Sequence, residues 1–279
     1  MEERRAGSGM VSIIIPTLNS ERTVAKCLES IAAQSYKDRE IIIVDSFSKD
    51  KTVEIAREFK CRVVRTRWKL LGARYIGFRK ARGDFVLMLD SDQVLRGKEV
   101  LGKAVGLMKR YDMLLLEEGS YNVKTWLEKL ADSDRRLVHR MSRVQLDPVV
   151  GTLLPRFFRR EVLGSAFKRI DMERLHDVVI FDHVIIYYEA YKASKRVGVL
   201  GDAVWHMEPS SLSEVLSHNY RYGVTARELV RLGYYNDLIK RKARFRKGAI
   251  SSGSMGLALQ SYLLLLLKGT AYELGYLLG

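Results

Sequence analysis

The sequence predicts an α/β protein built on a Rossmann-like mixed sheet, followed by a helical C-terminal extension. Three observations predict it. Short apolar runs alternate with amphipathic stretches through the first half, the pattern of strands joined by helical crossovers. The apolar runs end in polar clusters: Pro16-Thr17-Leu18-Asn19, Asp45-Ser46-Phe47-Ser48-Lys49-Asp50 and Asp90-Ser91-Asp92. From Leu212 onward the spacing is mainly helical.

Val11–Pro16 is the first strand, and Asn19 or Ser20 then caps a helix whose Val24, Cys27, Leu28, Ile31 and Ala32 share one face. Glu40–Asp45 is the second strand, Thr52–Phe59 a helix, Cys61–Thr66 the third strand, Gly72–Ala81 a helix and Asp84–Asp90 the fourth strand. Beyond Asp92 the order is less regular. A helix at Lys98–Lys109 leads to a strand at Met113–Glu117, and Trp126–Met141 reads as a long charged helix. Val149–Arg159 is mixed, Val184–Ser194 helical and Val197–Val204 a short strand. The expected division is a catalytic domain over 1–210 and a basic, then apolar, helical extension over 211–279.

The composition narrows the function classes. An apolar fraction of 47% with only 4 Pro in 279 residues describes a packed protein. Cys27 and Cys61 make neither a disulfide framework nor a metal pattern, which fits a reducing cytoplasm. Met1 to Met10 is polar, so no leader is expected. A net charge of +15 calls for an anionic partner: nucleic acid, anionic lipid or a phosphorylated substrate. No nucleic-acid recognition motif is present, so no nucleic acid is expected.

Asp90 and Asp92 carry the chemistry. Two acids at a strand end repel each other unless a cation lies between them, and oxygen ligands on a short turn suit Mg²⁺ or Mn²⁺ with substrate phosphates. The turn after the first strand has no glycine, which excludes the glycine cradle of a dinucleotide site. The strand ends therefore read as a nucleotide site of carboxylates and metal.

These residues resemble the family 2 glycosyltransferases of the A-type fold. The resemblance runs from Val11-Ser12-Ile13-Ile14-Ile15-Pro16-Thr17-Leu18-Asn19 through Gln34-Ser35-Tyr36 and Ile43-Val44-Asp45 to Thr52. It continues in Gly72-Ala73-Arg74-Tyr75-Ile76-Gly77 and in Ala81-Arg82-Gly83-Asp84 leading into Asp-Ser-Asp. It implies that a nucleoside diphosphate sugar is the donor, held by Pro16, Thr17, Asn19, Asp45, Arg74, Asp90 and Ser91. Asp45 would face the base, Arg74 the diphosphate and Asp90 the ribose. Ser46 stands where a second Asp is common, which leaves UDP and GDP both open, and Tyr75 follows Arg74 where Asn is usual.

Farther along, the resemblance makes Asp182, in Phe181-Asp182-His183, the catalytic base, with Asp177 as the rival alignment. His206 would join Asp92 at the metal. His218-Asn219-Tyr220-Arg221-Tyr222 resembles a Gln-x-x-Arg-Trp motif, which places Arg221 and Tyr222 on the acceptor side. The expected reaction is a single inverting displacement. The alternatives are a nucleotidyltransferase, which would want a Gly- and Lys/Arg-rich first loop, and a basic nucleic-acid-binding protein.

Lys240-Arg241-Lys242-Ala243-Arg244-Phe245-Arg246-Lys247 precedes an apolar stretch, Leu257–Leu278, that Gln260, Lys268 and Glu273 interrupt. A spanning helix needs roughly 20 mainly apolar residues. The expectation is two short segments broken near Gly269 and lying on an anionic membrane, with docking on the protein and a true span as alternatives. Such a location, peripheral at the inner face of the cell membrane, fits a lipid-linked acceptor such as a polyprenyl or dolichyl phosphate, or a glycan.

Overall fold

Val11–Thr17 (β1) is buried along its whole length because it lies between two parallel neighbours, β2 (Arg39–Asp45) and β4 (Phe85–Met88). The computed structural model of the chain describes residues 9–142, 146–149, 154–209, 211–241 and 255–279. Alternate β1 side chains leave opposite faces of the sheet. Ile14 enters one apolar layer, and Val11, Ile13 and Ile15 enter the other.

The remaining elements follow in order. They are α1 (Glu21–Ala32), α2 (Thr52–Glu58), β3 (Arg62–Arg65), α3 (Leu70–Lys80), β5 (Gln93–Leu95), α4 (Val100–Leu107) and β6 (Met113–Ser120). Next come α5 (Trp126–Ser142), β7 (Pro155–Arg159), α6 (Arg160–Arg169), α7 (Met172–Leu175), α8 (Asp182–Ala193) and β8 (Val197–His206). Two long helices, α9 (Leu212–Arg231) and α10 (Met255–Leu278), lie last.

The strands form one eight-stranded sheet in the order β3-β2-β1-β4-β7-β6-β8-β5. The β3-to-β4 half is parallel, as expected. β7 then runs antiparallel to both β4 and β6, β8 runs parallel to β6, and β5 closes the edge antiparallel to β8. Side chains of α1, α2 and α4 cover one face, and those of α3, α6, α7 and α8 cover the other.

Several elements depart from expectation. The mixed stretch Val149–Arg159 resolves into β7 from Pro155. β5 has three residues, too few for alternation to show. The helices α6 and α7 occupy a stretch for which the sequence carried no expectation.

The C-terminus is a correction. One continuous helix spans Met255–Leu278, with no break at Gly269. A glycine costs a helix only about 1 kcal/mol, and tertiary packing outweighs it. That packing runs through other glycines. A Cβ on Gly223 of α9 would lie 2.0 Å from the Tyr272 carbonyl, and one on Gly275 of α10 would lie 2.0 Å from that of Tyr220. The two backbones touch there. Leu264 and Val215 also meet Leu127, Leu130 and Ala131 of α5 in a small apolar cluster. No helix among the described residues is long and apolar enough to cross a membrane. Of the basic run, Lys240 and Arg241 are described and exposed, and residues 242–247 lie outside the described residues.

Candidate active site

The carboxyl ends of β1 and β2 form one corner of a crevice. Thr17 and Asp45 are register partners, and the Thr17 hydroxyl donates to Asp45 Oδ1 at 3.2 Å. The Ser48 hydroxyl also donates to Oδ1, at 2.5 Å, and its amide to Oδ2, at 3.0 Å. Asp45 is fully buried, so these donors replace the water it lost. Pro16 lies buried in β1 beside Val44. Asn19, at φ 51°, receives the Lys49 amide on Oδ1 and donates its own amide to Ser48 Oγ. Ser91 donates to Ser20 Oγ at 3.0 Å, tying the turn after β4 to the start of α1.

Arg74 is the centre of the site. A Cβ on Gly77 would lie 2.3 Å from Ile14 Cγ2, so glycine lets α3 sit close to β1, one turn from Arg74. Its guanidinium, fully buried, donates from Nε to Asp182 Oδ2 and from Nη2 to Asp90 Oδ1, both at 2.5 Å. A buried cation is stable only with such paired partners. The second Asp90 oxygen accepts from Arg156 Nη1 at 2.8 Å.

From Arg156 the charges continue in alternation. Its Nε donates to Glu118 Oε1 at 2.7 Å. Arg135 joins Glu118 Oε2 to Glu208 Oε1, at 2.8 Å each. His206 Nδ1 lies 3.9 Å from Glu208, and its Nε2 lies 3.6 Å from Asp92 Oδ2. The chain thus runs from Asp182 round to Asp92.

This arrangement sets the protonation states. Burial raises the Asp90 carboxyl, but Arg156 and Arg74 outweigh it and hold Asp90 well below the usual range. At Glu118 burial is likewise outweighed, chiefly by Arg156 and Arg135, and its pKa falls to about 2. Asp92 goes the other way: burial raises it and Asp90 adds to the rise, against His206. Asp182 is raised by burial in spite of Arg74. His183 is depressed by burial and by Arg74 and Arg156, so it is neutral at pH 7. Its Nε2 lies 2.8 Å from Arg156 Nη1 and must therefore accept, which leaves the proton on Nδ1.

Among the described residues, four buried polar atoms here lack a hydrogen-bond partner: Arg74 Nη1, His183 Nδ1, Asp92 Oδ1 and His206 Nδ1. Buried polar groups are rarely left so. The first two are donors that suit an anion. Asp92, raised and with a free oxygen, and His206 suit a divalent cation. Among the described residues no three of His, Cys, Asp and Glu form a metal cage.

The charge network thus joins Asp182, Arg74, Asp90, Asp92 and His206, and Thr17 and Asp45 lie at the ends of the neighbouring parallel strands β1 and β2. Burial, with the charges of Asp182, Asp90 and Asp92, pushes the Tyr222 phenol up to about 12. Arg221 is exposed and bonds to Ser217 of its own helix. Asp177 lies apart, half-buried, 3.9 Å from Lys69 Nζ. Sequence reasoning missed Glu118, Arg135, Arg156, His183 and Glu208. Glu118 near the end of β6 was the one readable signal, as a strand-end acid.

A model of the family described as "Glycosyl transferase family 2" matches residues 12–165, more than half of the chain and the whole arc from β1 to β7. The chain belongs to glycosyl transferase family 2. Among curated members it is 25% identical over 220 residues to the poly(ribitol-phosphate) beta-N-acetylglucosaminyltransferase TarS of Staphylococcus aureus, covering 75% of this chain and 37% of TarS. It is 24% identical over 223 residues to the uncharacterized glycosyltransferase EpsJ of Bacillus subtilis, covering 74% of this chain and 63% of EpsJ. The chain therefore spans only part of the length of these relatives. Crystalline TarS 1–349 with UDP-GlcNAc superposes with a TM-score of 0.55 at 19% identity, covering 94% of this chain and 81% of that one. The mannosyltransferase PcManGT of Pyrobaculum calidifontis, in complex with GDP-Man and Mn2+, superposes at 0.54 and 17% identity, covering 98% and 89%. This family 2 member has the glycosyltransferase A-type fold, with helices at its C-terminus.

Proposed function

We propose that the chain transfers a sugar from a nucleoside diphosphate sugar to an acceptor hydroxyl or phosphate, with inversion and with Mg²⁺ or Mn²⁺. One observation carries this reading. The unpartnered Arg74 and His183 donors and the unpartnered Asp92 oxygen, with His206 Nε2 3.6 Å from the other Asp92 oxygen, belong to one charge network, a place for a diphosphate and its cation together. The nucleotide sugars held by the TarS and PcManGT crystals, on the same fold, support it.

Thr17, Asp45, Pro16 and Asn19 would hold the nucleoside, and Asp90 and Ser91 the ribose side. Asp90 already gives both oxygens to arginines, so the metal falls to Asp92 and His206. When bound, the ion would act as a Lewis acid on the departing diphosphate. Arg74 would offset the charge that develops there. Asp182, oriented through Oδ2 and raised by burial, would take the acceptor proton, a contribution of about 10²–10⁴-fold. With Asp90 held by two arginines and Asp92 given to the ion, Asp182 would act as the base and no residue needs to become glycosylated, so a single displacement would invert the anomeric carbon.

The acceptor reading rests on α10. Tyr262, Leu266, Leu274, Leu277 and Leu278 are exposed on it, and a basic run precedes it in sequence. Such a face suits an anionic membrane surface on the cytoplasmic side and a lipid-linked or glycan acceptor brought to it. The test of the function is a panel of UDP- and GDP-sugars scored for nucleoside diphosphate release. Turnover of at least one donor with Mn²⁺, abolished by EDTA, is expected. Release from none of them would overturn the reading.

A further inference from the structure

Arg135 belongs to no motif, yet every reach of its guanidinium is committed. Nε and Nη2 both meet Glu208 Oε1 at 2.8 Å, and Nη1 meets Glu118 Oε2 at 2.8 Å. Each of these carboxylates grips something else. Glu118 Oε1 accepts from Arg156 Nε at 2.7 Å and from Gln93 Nε2 at 3.0 Å. Those two then hold Asp90 twice, Arg156 by its side chain at 2.8 Å and Gln93 Oε1 by the Asp90 amide at 2.9 Å. Glu208 accepts from the Ser120 hydroxyl at 2.8 Å and lies 3.9 Å from His206 Nδ1. Ser120 and His206 are themselves register partners on β6 and β8.

The helix that carries Arg135 is held from outside the catalytic layer. Leu127, Leu130 and Ala131, within the two turns before it, are buried against Val215 of α9 and Leu264 of α10. The helix thus packs on the C-terminal helices as well as on β6, and Arg135 links that packing to two walls of the crevice.

We propose that Arg135 is the positioning residue of this site, clamping Glu118 and Glu208 so that Arg156 stays on Asp90 and His206 stays beside Asp92. It touches neither of the groups assigned to the leaving diphosphate, so its effect passes through others. The inference rests on the metal and nucleotide reading above. Removing Arg135 leaves Glu208, largely buried, without an arginine and leaves Glu118 to Arg156, a costly state that the two carboxylates relieve by moving apart. Lysine reaches one carboxylate at a time and lacks the planar fork, so it restores part of the clamp.

The test uses the full-length chain, with Mn²⁺ binding followed by electron paramagnetic resonance in the presence of UDP, beside melting temperature and steady-state kinetics on the donor found active. Arg135→Ala should weaken Mn²⁺ binding at least tenfold and lower kcat more than it raises KM. Arg135→Lys should recover part of both. Arg136→Ala, on the exposed side of the same helix and paired with Asp132, should change neither. If Arg135→Ala does not fold, Arg135→Lys decides, with weakened Mn²⁺ binding at an unchanged melting temperature expected. Wild-type Mn²⁺ affinity and kcat in a folded Arg135 variant, even one of lowered melting temperature, would overturn the proposal. Absence of Mn²⁺ binding in the wild-type chain would overturn the metal reading itself, and this inference with it.

Discussion

Arg74 and Asp182 are joined by a 2.5 Å hydrogen bond from Nε to Oδ2 across 108 residues of sequence. The bond brings the first residue of α8 to the buried face of α3 and fixes one oxygen of the candidate base. Asp177, five residues earlier, faces Lys69 near the surface instead. Asp182→Asn is therefore expected to lose at least about 10²-fold in turnover while still binding nucleotide, and Asp177→Asn to stay near wild type. Steady-state kinetics of the two variants decide between them, and the reverse pattern would restore the rival alignment.

Glu118 gives a pH dependence with a definite sign. Its folded pKa is about 2 against an ordinary 4.5, so the unfolded chain binds the proton more readily. The resulting stability is present in full above about pH 4.5 and is lost as pH falls toward about 2. It amounts to an upper bound on the order of 3 kcal/mol. Glu118→Gln should flatten this part of the stability curve, read by urea unfolding across the acid range. A variant whose acid limb matches the wild type would mean that Glu118 is not held by Arg156 and Arg135.

The strand ends were legible in the sequence because each polar cluster follows a short apolar run, and the structure converges them as parallel neighbours. Arg74 could be singled out by its motif, but not its two partners, since nothing in local spacing connects α3 with α8. Arg156 was hidden because Pro155-Arg156 opens an antiparallel strand in a stretch without clean alternation. Arg135 looked like one more charge on a charged helix. The continuity of α10 was misjudged for a physical reason: among the described residues Gly269 has nothing within 4 Å of its missing Cβ, whereas Gly275 meets a backbone carbonyl, and sequence gives both the same letter.

That contrast is itself testable. Gly269→Ala should leave stability unchanged or raise it by up to about 1 kcal/mol through helix propensity. Gly275→Ala should lower it by roughly 1–3 kcal/mol, because the added methyl collides with Tyr220. Thermal unfolding of the two variants measures the difference, and equal behaviour would show that α9 and α10 do not cross at these glycines.

The exposed face of α10 and the basic run make a lipid prediction. Each basic residue near an anionic surface is worth about 1 kcal/mol, a contribution that salt screens, while apolar burial resists salt. The full-length chain should sediment with phosphatidylserine vesicles, release partly in high salt, and bind less after Leu266→Asp with Leu277→Asp, both exposed positions. A wild-type chain that leaves such vesicles untouched would remove the support for a lipid-linked acceptor.

The central claim is a crevice that takes a nucleoside diphosphate together with a divalent ion on Asp92 and His206. Calorimetric titration of UDP and of GDP into the full-length chain, with and without Mn²⁺, tests it most directly. The account predicts that one of the two binds, that Mn²⁺ strengthens the binding, and that Asp92→Ala removes the strengthening while the variant stays folded. Failure of both nucleotides to bind in the presence of Mn²⁺, or binding that Mn²⁺ and Asp92→Ala leave unchanged, would contradict it.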